Sequence, residues 1–433
     1  MIDSRRIIAT EIGRGKDPFE AHYAEKNGKI HVFISRIHEI GSFISHLHTK
    51  ETERELEGQH LNCRLIGVGE DYDEYMAQES YIGADNVLYK ANQYKKAIFT
   101  LSNDLLPFFN AAWNIGNFMG NSNSQQIYFI PEQERQETIE IKPEVSLAIK
   151  KGYKQSYSKI RYEAHSSVAF YLFFKEPTTK ENLFYTVKAV SEYYSLFCMQ
   201  YITVKAITLF PSDDKQVIYF GGFRENVNKD FFDNILLEQD EMDAYSTETL
   251  KEWMKEYEKC EVVNNLIKDA QNVIDPQLKF ICLSRALEVF HKEFFVPNEE
   301  PGITYFDNLY QFSTMNALTS ISRTDFAGRK ITLAHRLFDL VRFAHDILSD
   351  NKYRLVFGCI ILDGCVQKLA DTRNYYTHFS DSKKVNAWSV ERLHHLNFGL
   401  FMMMKTLLLK KTGFTDKTIQ RLIGKFDRHY FEI

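Results

Sequence analysis

The sequence predicts an α+β chain of two domains: a β-rich, sandwich- or barrel-like domain over residues 1–240, followed by an all-α helical bundle over residues 241–433. Three observations carry this expectation. At 433 residues the chain is longer than one hydrophobic core usually organises. Apolar residues come in short alternating runs in the first half and at helical spacing in the second. Between the two lies "LEQDEMDAYSTETL" (237–250), an acidic, polar stretch that marks the change of character.

The first half reads as strands and turns. The runs are "KIHVFISRI" (29–37), "LNCRLIGVG" (61–69), "QQIYFIP" (125–131), "ETIEIKP" (137–143), "SVAFYLFFKEP" (167–177), "AITLFP" (206–211) and "QVIYFGGF" (216–223), separated by charged or Gly/Asn/Pro segments. One helix interrupts the series. Thr178 and Glu181 have the spacing of a capping box, and Leu183, Phe184, Val187, Val190, Tyr194 and Phe197 follow on one helical face.

The second half predicts five long helices joined by short connections. The first begins with Leu250, Trp253, Met254 and Tyr257, and the second starts at Pro276, a residue favoured in a first turn. The third spans 329–348. The fourth runs through "YRLVFGCIILDGCVQKLADTRNYYTH" with Val356, Phe357, Ile360, Ile361, Val366 and Leu369 as its core face, and the fifth, 390–411, is stopped by Gly413.

Composition narrows the function classes. With 44% hydrophobic and 26% charged residues, 34 Phe and 24 Tyr, the chain can build large cores and has no disordered character. The net charge of −5 argues against a whole-surface polyanion binder, but residues 371–433 hold seven Lys and four Arg against four Asp and two Glu, so a nucleic-acid contact is expected there. Six cysteines stand singly, which suits reduced thiols rather than a disulfide framework. The N-terminus lacks the apolar core of a signal peptide, and "FGLFMMM" is too short to span a bilayer. The expectation is a cytoplasmic protein with no membrane segment.

Several motifs are weak. "GRG" (13–15) and "GVG" (67–69) lack the third glycine of a nucleotide loop. His46 and His48 would share a face on a strand but have no third metal ligand at convincing spacing. His394 and His395 read as surface residues, and Met402–Met404 as core or interface filling. No Walker lysine, nucleophile elbow or paired acidic motif is present, so neither a cofactor nor a metal is expected.

"RNYYTHFSDSKK" (373–384) is different, because it crowds Arg373, Asn374 and His378 into the end of an apolar helix. A structural reading pairs Arg373 with Asp371 or a neighbouring helix and lets His378 cap the last carbonyls. Arg373 and His378 are five residues apart, about 500° around an ideal helix. They meet at one point only if the helix unwinds between them or a second copy of the motif faces the first. Lys383 and Lys384 follow and supply positive charge.

"RNYYTH" matches the R-x4-6-H signature of HEPN domains, and "LSRALEVFHKEFF" (283–295) is similar to the "ALE-x-[YF]-H" helix of ApeA-like HEPN proteins, bacterial anti-phage abortive-infection toxins with a β-rich N-terminal domain. The resemblance implies a metal-independent endoribonuclease, with Arg373, Asn374 and His378 as catalytic residues and 2′,3′-cyclic phosphate ends as products. It also implies a homodimer, because the family pairs two motifs in one cleft and this chain holds one. RNA, in single-stranded or loop regions, is the implied substrate, with Tyr375, Lys383 and Lys384 as binding residues and Tyr376 supporting. Glu288 would orient Arg373, although Glu288 and His291 also read as an ordinary buried pair, and both tyrosines as ordinary packing. The β-rich half would sense a phage-derived trigger or restrain the nuclease. Two alternatives stand beside this reading: a non-catalytic HEPN module for dimerisation or for binding RNA or protein, and an unrelated helical domain.

Overall fold

The computed structural model describes residues 5–11, 19–26, 29–34, 54–58, 61–66, 73–83, 93–101, 113–119, 125–131, 137–157, 162–198, 201–202, 204–212, 215–221, 239–295, 331–348, 365–378, 384 and 386–431. It is an α+β chain, with strands through the first half and helices through the second. Two compact units account for it: Met1–Ser191 with Ile202–Asp233, and Glu192–Tyr201 with Asn234–Ile433. The fragments 13–15 and 67–69, the histidines 46 and 48, the apolar residues 356–361 and Lys383 lie outside the described residues.

The β unit contains β1 (Arg5–Glu11), β2 (Phe19–Lys26), β3 (Lys29–Ile34), β4 (Arg54–Gly58), β5 (Leu61–Ile66), β6 (Asp73–Gly83), β7 (Gln93–Leu101), β8 (Trp113–Met119), β9 (Gln125–Pro131), β10 (Glu137–Lys142), β11 (Val145–Tyr157), β12 (Tyr162–Thr179), β13 (Val204–Ser212) and β14 (Lys215–Gly221). Twelve of these form one sheet in the order β10-β11-β12-β7-β13-β14-β6-β3-β2-β1-β4-β5, and β8 and β9 form a separate hairpin. The pairings are antiparallel throughout. A further pairing of β5 with β6 closes β1–β6 into a ring. β6 makes this possible because it is long: its start pairs with β3, its end with β14, and its other edge with β5. A barrel and an open sheet thus share one strand.

The helix α1 (Lys180–Ser195) follows β12 without a loop. Its cap is Thr179, whose hydroxyl accepts the Asn182 amide at 3.3 Å, and not the expected Thr178. The ladder explains the displacement: Thr178 and Thr179 still pair with Tyr94 and Gln93, so the strand runs two residues further than its pattern suggests. The α1 face carrying Leu183, Val187 and Val190 is buried, and Phe184 packs on Tyr219 of β14 at 4.5 Å between ring centres. This covers the sheet face that holds Phe99, Phe170 and Leu172.

The helical unit contains α2 (Gln239–Asn272), α3 (Pro276–Phe294), α4 (Leu333–Ile347), α5 (Cys365–His378), α6 (Val390–Lys411) and α7 (Asp416–Phe431). Among the described residues that is one helix more than the five expected, α7 being the addition. The acidic stretch expected to divide the chain is itself helical from Gln239, since residues 239–272 contain neither Gly nor Pro. Glu248–Lys251, Glu252–Lys255 and Glu256–Lys259 pair on the outer face of α2, while Leu250, Trp253, Met254 and Tyr257 are buried. Asp275 caps α3 by accepting the Gln277 and Leu278 amides, both at 2.9 Å, with Pro276 in the first turn.

Helix α6 is central, with residues Leu400–Leu409 buried on all sides, Met402–Met404 among them. It stops where expected. Gly413 has φ 92°, and the amides of Gly413 and Phe414 return to Lys410 and Leu409 in a Schellman arrangement. None of the helices is long and apolar enough to cross a membrane among the described residues.

Lys405 is the exception inside α6. Its side chain is buried, and its ammonium donates to the Ser195 carbonyl at the end of α1, which belongs to the same compact unit. Burial holds this ammonium down at about 8, against 10.5 ordinarily. Between those values the unfolded chain keeps a proton that the folded chain has released, so this group's contribution to stability improves as pH rises through the window. We expect Lys405→Met to stabilise the protein relative to wild type at pH 7, and that gain to shrink by on the order of 2–3 kcal/mol by pH 10. Urea unfolding of both proteins across pH 7–10 measures it; a pH-independent difference would show that burial does not tax this charge.

Candidate active site at the end of α5

The motif helix α5 stays helical through His378, so the expected fray between Arg373 and His378 does not occur. Their side chains therefore leave the helix about 140° apart. Arg373 is half-buried and held from two sides: Nη2 donates to Glu288 Oε2 of α3 at 3.4 Å, and Nη1 to Asn374 Oδ1 at 3.1 Å. Of the five N–H groups of a guanidinium, three remain free of partners among the described residues. The other Glu288 oxygen takes Lys292 at 3.1 Å, so one carboxylate balances two cations. His378, at the helix terminus, is exposed and has no hydrogen bond among the described residues.

Glu288 and His291 do not pair with each other. They share a face of α3 but bind different helices. His291 is fully buried; its Nδ1 accepts from Arg336 Nη1 at 3.0 Å, and its Nε2 donates to Asp339 Oδ2 at 3.0 Å. The roles follow from Arg336, which can only donate. Asp339 also pairs with Arg342 at 3.0 Å. Arg336 and Asp339 escaped the sequence reading, although Arg336, Asp339 and Arg342 recur every third residue within an apolar helix, the signature of a polar seam.

The segment after the motif folds back on α5. The Trp388 amide donates to Thr372 Oγ1 at 3.1 Å, and its carbonyl accepts from the Tyr376 hydroxyl at 2.9 Å. Asn386 Nδ2 reaches Asp371 Oδ2 at 3.4 Å, and Lys368 lies over the Trp388 ring. Asp371 is thus engaged by Gln367 and Asn386, while Arg373 goes to the neighbouring helix. Tyr376 is buried as an anchor for this clasp, and burial, with Tyr375 and Asp275 nearby, pushes its hydroxyl pKa up. Tyr375 is half-buried and meets Tyr376 edge-on at 5.0 Å. Lys384 is exposed, as are His394 and His395 on α6.

A family profile described as Apea-like HEPN matches residues 283–418, from the middle of α3 into α7. The chain carries an Apea-like HEPN domain. HEPN domains are typically RNases that bind RNA and dimerise, which points to a nuclease or RNA-binding role for this chain. No curated protein and no solved structure matches it. The HEPN match takes in the α3 residues Glu288 and His291, the α4 seam and the whole of α5 with its Trp388 clasp.

Two substitutions separate framework from surface here. Tyr376→Phe removes the donor to a buried carbonyl and should cost about 1 kcal/mol in urea unfolding. His378→Ala, at an exposed helix terminus, should cost well under about 1 kcal/mol. The reverse order would mean that His378, not Tyr376, ties the helix end down.

Proposed function

We propose that this protein is a metal-independent HEPN endoribonuclease, with Arg373, Asn374 and His378 at the reacting phosphate. The observation that carries the reading is a guanidinium held by Glu288 and Asn374, with three N–H groups to spare among the described residues, on the same helix as an exposed histidine. RNA brings its own nucleophile. A histidine imidazole can take the 2′-OH proton and return one to the 5′-oxygen that leaves. Arg373 would meet the extra negative charge that develops on the phosphorane. The 2′-oxygen bonds to phosphorus as the bond to the 5′-oxygen breaks, giving a 2′,3′-cyclic phosphate and a 5′-hydroxyl.

An unbroken α5 places the two groups on different sides of the helix. This favours a composite site in a homodimer, in which the arginine of one copy and the histidine of the other address one phosphate. Tyr375 and the exposed Lys384, with Lys383 beside it in sequence, would guide single-stranded or looped RNA to the cleft. The free thiols of Cys198, Cys260 and Cys282 suit action in the cytoplasm. Division of labour follows: chemistry in residues 241–433, and regulation, by a phage-derived trigger or by restraint, in residues 1–240. Together these make it an anti-phage defence factor of the abortive-infection kind.

Cleavage should persist in EDTA, and a single 2′-deoxy nucleotide at the cut site should block it, as gel analysis of a defined oligonucleotide would show. His378→Ala and Arg373→Lys should each lose at least about 100-fold in rate. A mixture of Arg373→Ala and His378→Ala subunits should regain part of the activity if a composite site forms. Wild-type cleavage by His378→Ala would instead favour a binding module whose motif is structural.

A further inference from the structure

The β unit carries a second chemical feature, on the sheet face opposite α1. A solvated face of an antiparallel sheet ordinarily alternates to polar residues. Here Tyr171, Phe173 and Phe210 stand at alternate positions of β12 and β13 beside Thr208, all half-buried, while their neighbours Phe170, Leu172 and Leu209 are fully buried on the α1 side. The ladder places Phe173 and Phe210 on either side of Lys96 of β7. Tyr171 and Phe173 lie nearly parallel, 17° apart, with centres at 6.4 Å.

Two lysines stand over these rings. Lys96 Nζ is 5.5 Å from the Tyr171 centre, 5.6 Å from Phe173 and 4.7 Å from Phe210, and Lys150 Nζ of β11 is 5.0 Å from Tyr171. Neither lysine has a carboxylate partner among the described residues. Glu140, on the neighbouring strand β10, pairs with Lys175 at 3.6 Å. Among the described residues the face is therefore aromatic, with two lysines held beside its rings.

From this arrangement we propose that the β7–β11–β12–β13 face binds single-stranded nucleic acid, with bases stacked on Tyr171, Phe173 and Phe210 and phosphates at Lys96 and Lys150. Ring spacing selects the strand form. At 6.4 Å the two β12 rings stand about twice the ~3.4 Å repeat of a stacked strand apart, so they receive bases that have left their own stack. A duplex, whose base faces are hidden, has nothing to offer them. This site lies in the β unit and is separate from the HEPN motif, so the chain would hold RNA or DNA at a place where it does no chemistry.

The test uses the full chain carrying His378→Ala, so that the probe is not consumed, with fluorescein-labelled 12-nucleotide oligouridylate and oligodeoxythymidylate read by anisotropy. Tyr171→Leu with Phe173→Leu should weaken binding about tenfold or more, and Lys96→Gln should weaken it and flatten its salt dependence. Phe210→Trp should show fluorescence quenched by either oligonucleotide and not by an abasic 12-mer. Should the double variant fail to fold, Lys96→Gln and Phe210→Trp carry the test alone. Unchanged affinity in the folded variants, or equal binding of the abasic chain with no quenching, would overturn the proposal. Because the readout is the change in binding made by substitutions in the β unit alone, with the HEPN motif the same in every protein compared, it is distinguishable from whether the HEPN site is a nuclease.

Discussion

A buried charge must find a partner, and in the helical unit that requirement falls on one face of α3. Glu288 and His291 stand a single turn apart and reach in different directions, one to α5 and the other to α4. His291 is enclosed between a guanidinium and a carboxylate, where losing one partner would strand the other in a medium of low dielectric. The α3–α4 register is thereby limited to positions that keep Arg336, His291 and Asp339 in line. Arg373 then takes its place relative to this frame through Glu288. The motif arginine is consequently set by a helix some eighty residues earlier as well as by its neighbour Asn374.

Much of this was legible in the sequence because it depends on local chemistry. Helix α6 ends where Gly413 permits a positive φ, and α3 begins where Asp275 and Pro276 cap it. The motif triplet and the "ALEVFH" helix were visible as residue types at fixed spacing. Strand β9 begins and ends at the expected residues. The failures share a cause. Thr178 was favoured over Thr179 because local pattern does not reveal how far a ladder holds a strand. Strands β1, β2, β4, β6, β7, β8 and β11 carry mixed or charged runs whose pairing is decided by partners far along the chain. Helix α7 is hard to read because it is polar on average and interrupted by Gly424, although Ile419, Leu422 and Ile423 are buried.

At the site, one contact between named residues was legible in the sequence and others were not. Glu288 and Arg373 do meet, across helices. Tyr376, placed near RNA as readily as near the core, is committed to the carbonyl of Trp388. That bond and the Thr372 hydroxyl satisfy both backbone groups of a buried residue, and no sequence pattern announces a loop whose polar needs are met by a helix twelve or more positions earlier.

The ring of β1–β6 has a further implication for the chain as a material. Unpaired strand edges are templates on which neighbouring molecules can add strands. In the twelve-stranded sheet the ring uses up one end, since β5 returns to β6, and among the described residues the other end is β10. That strand is six residues long, carries Glu137, Glu140 and Lys142, and breaks register between Glu140 and Lys142. Short, charged and kinked, it is a poor seed for intermolecular β-addition, so the large sheet can be concentrated with little tendency to polymerise.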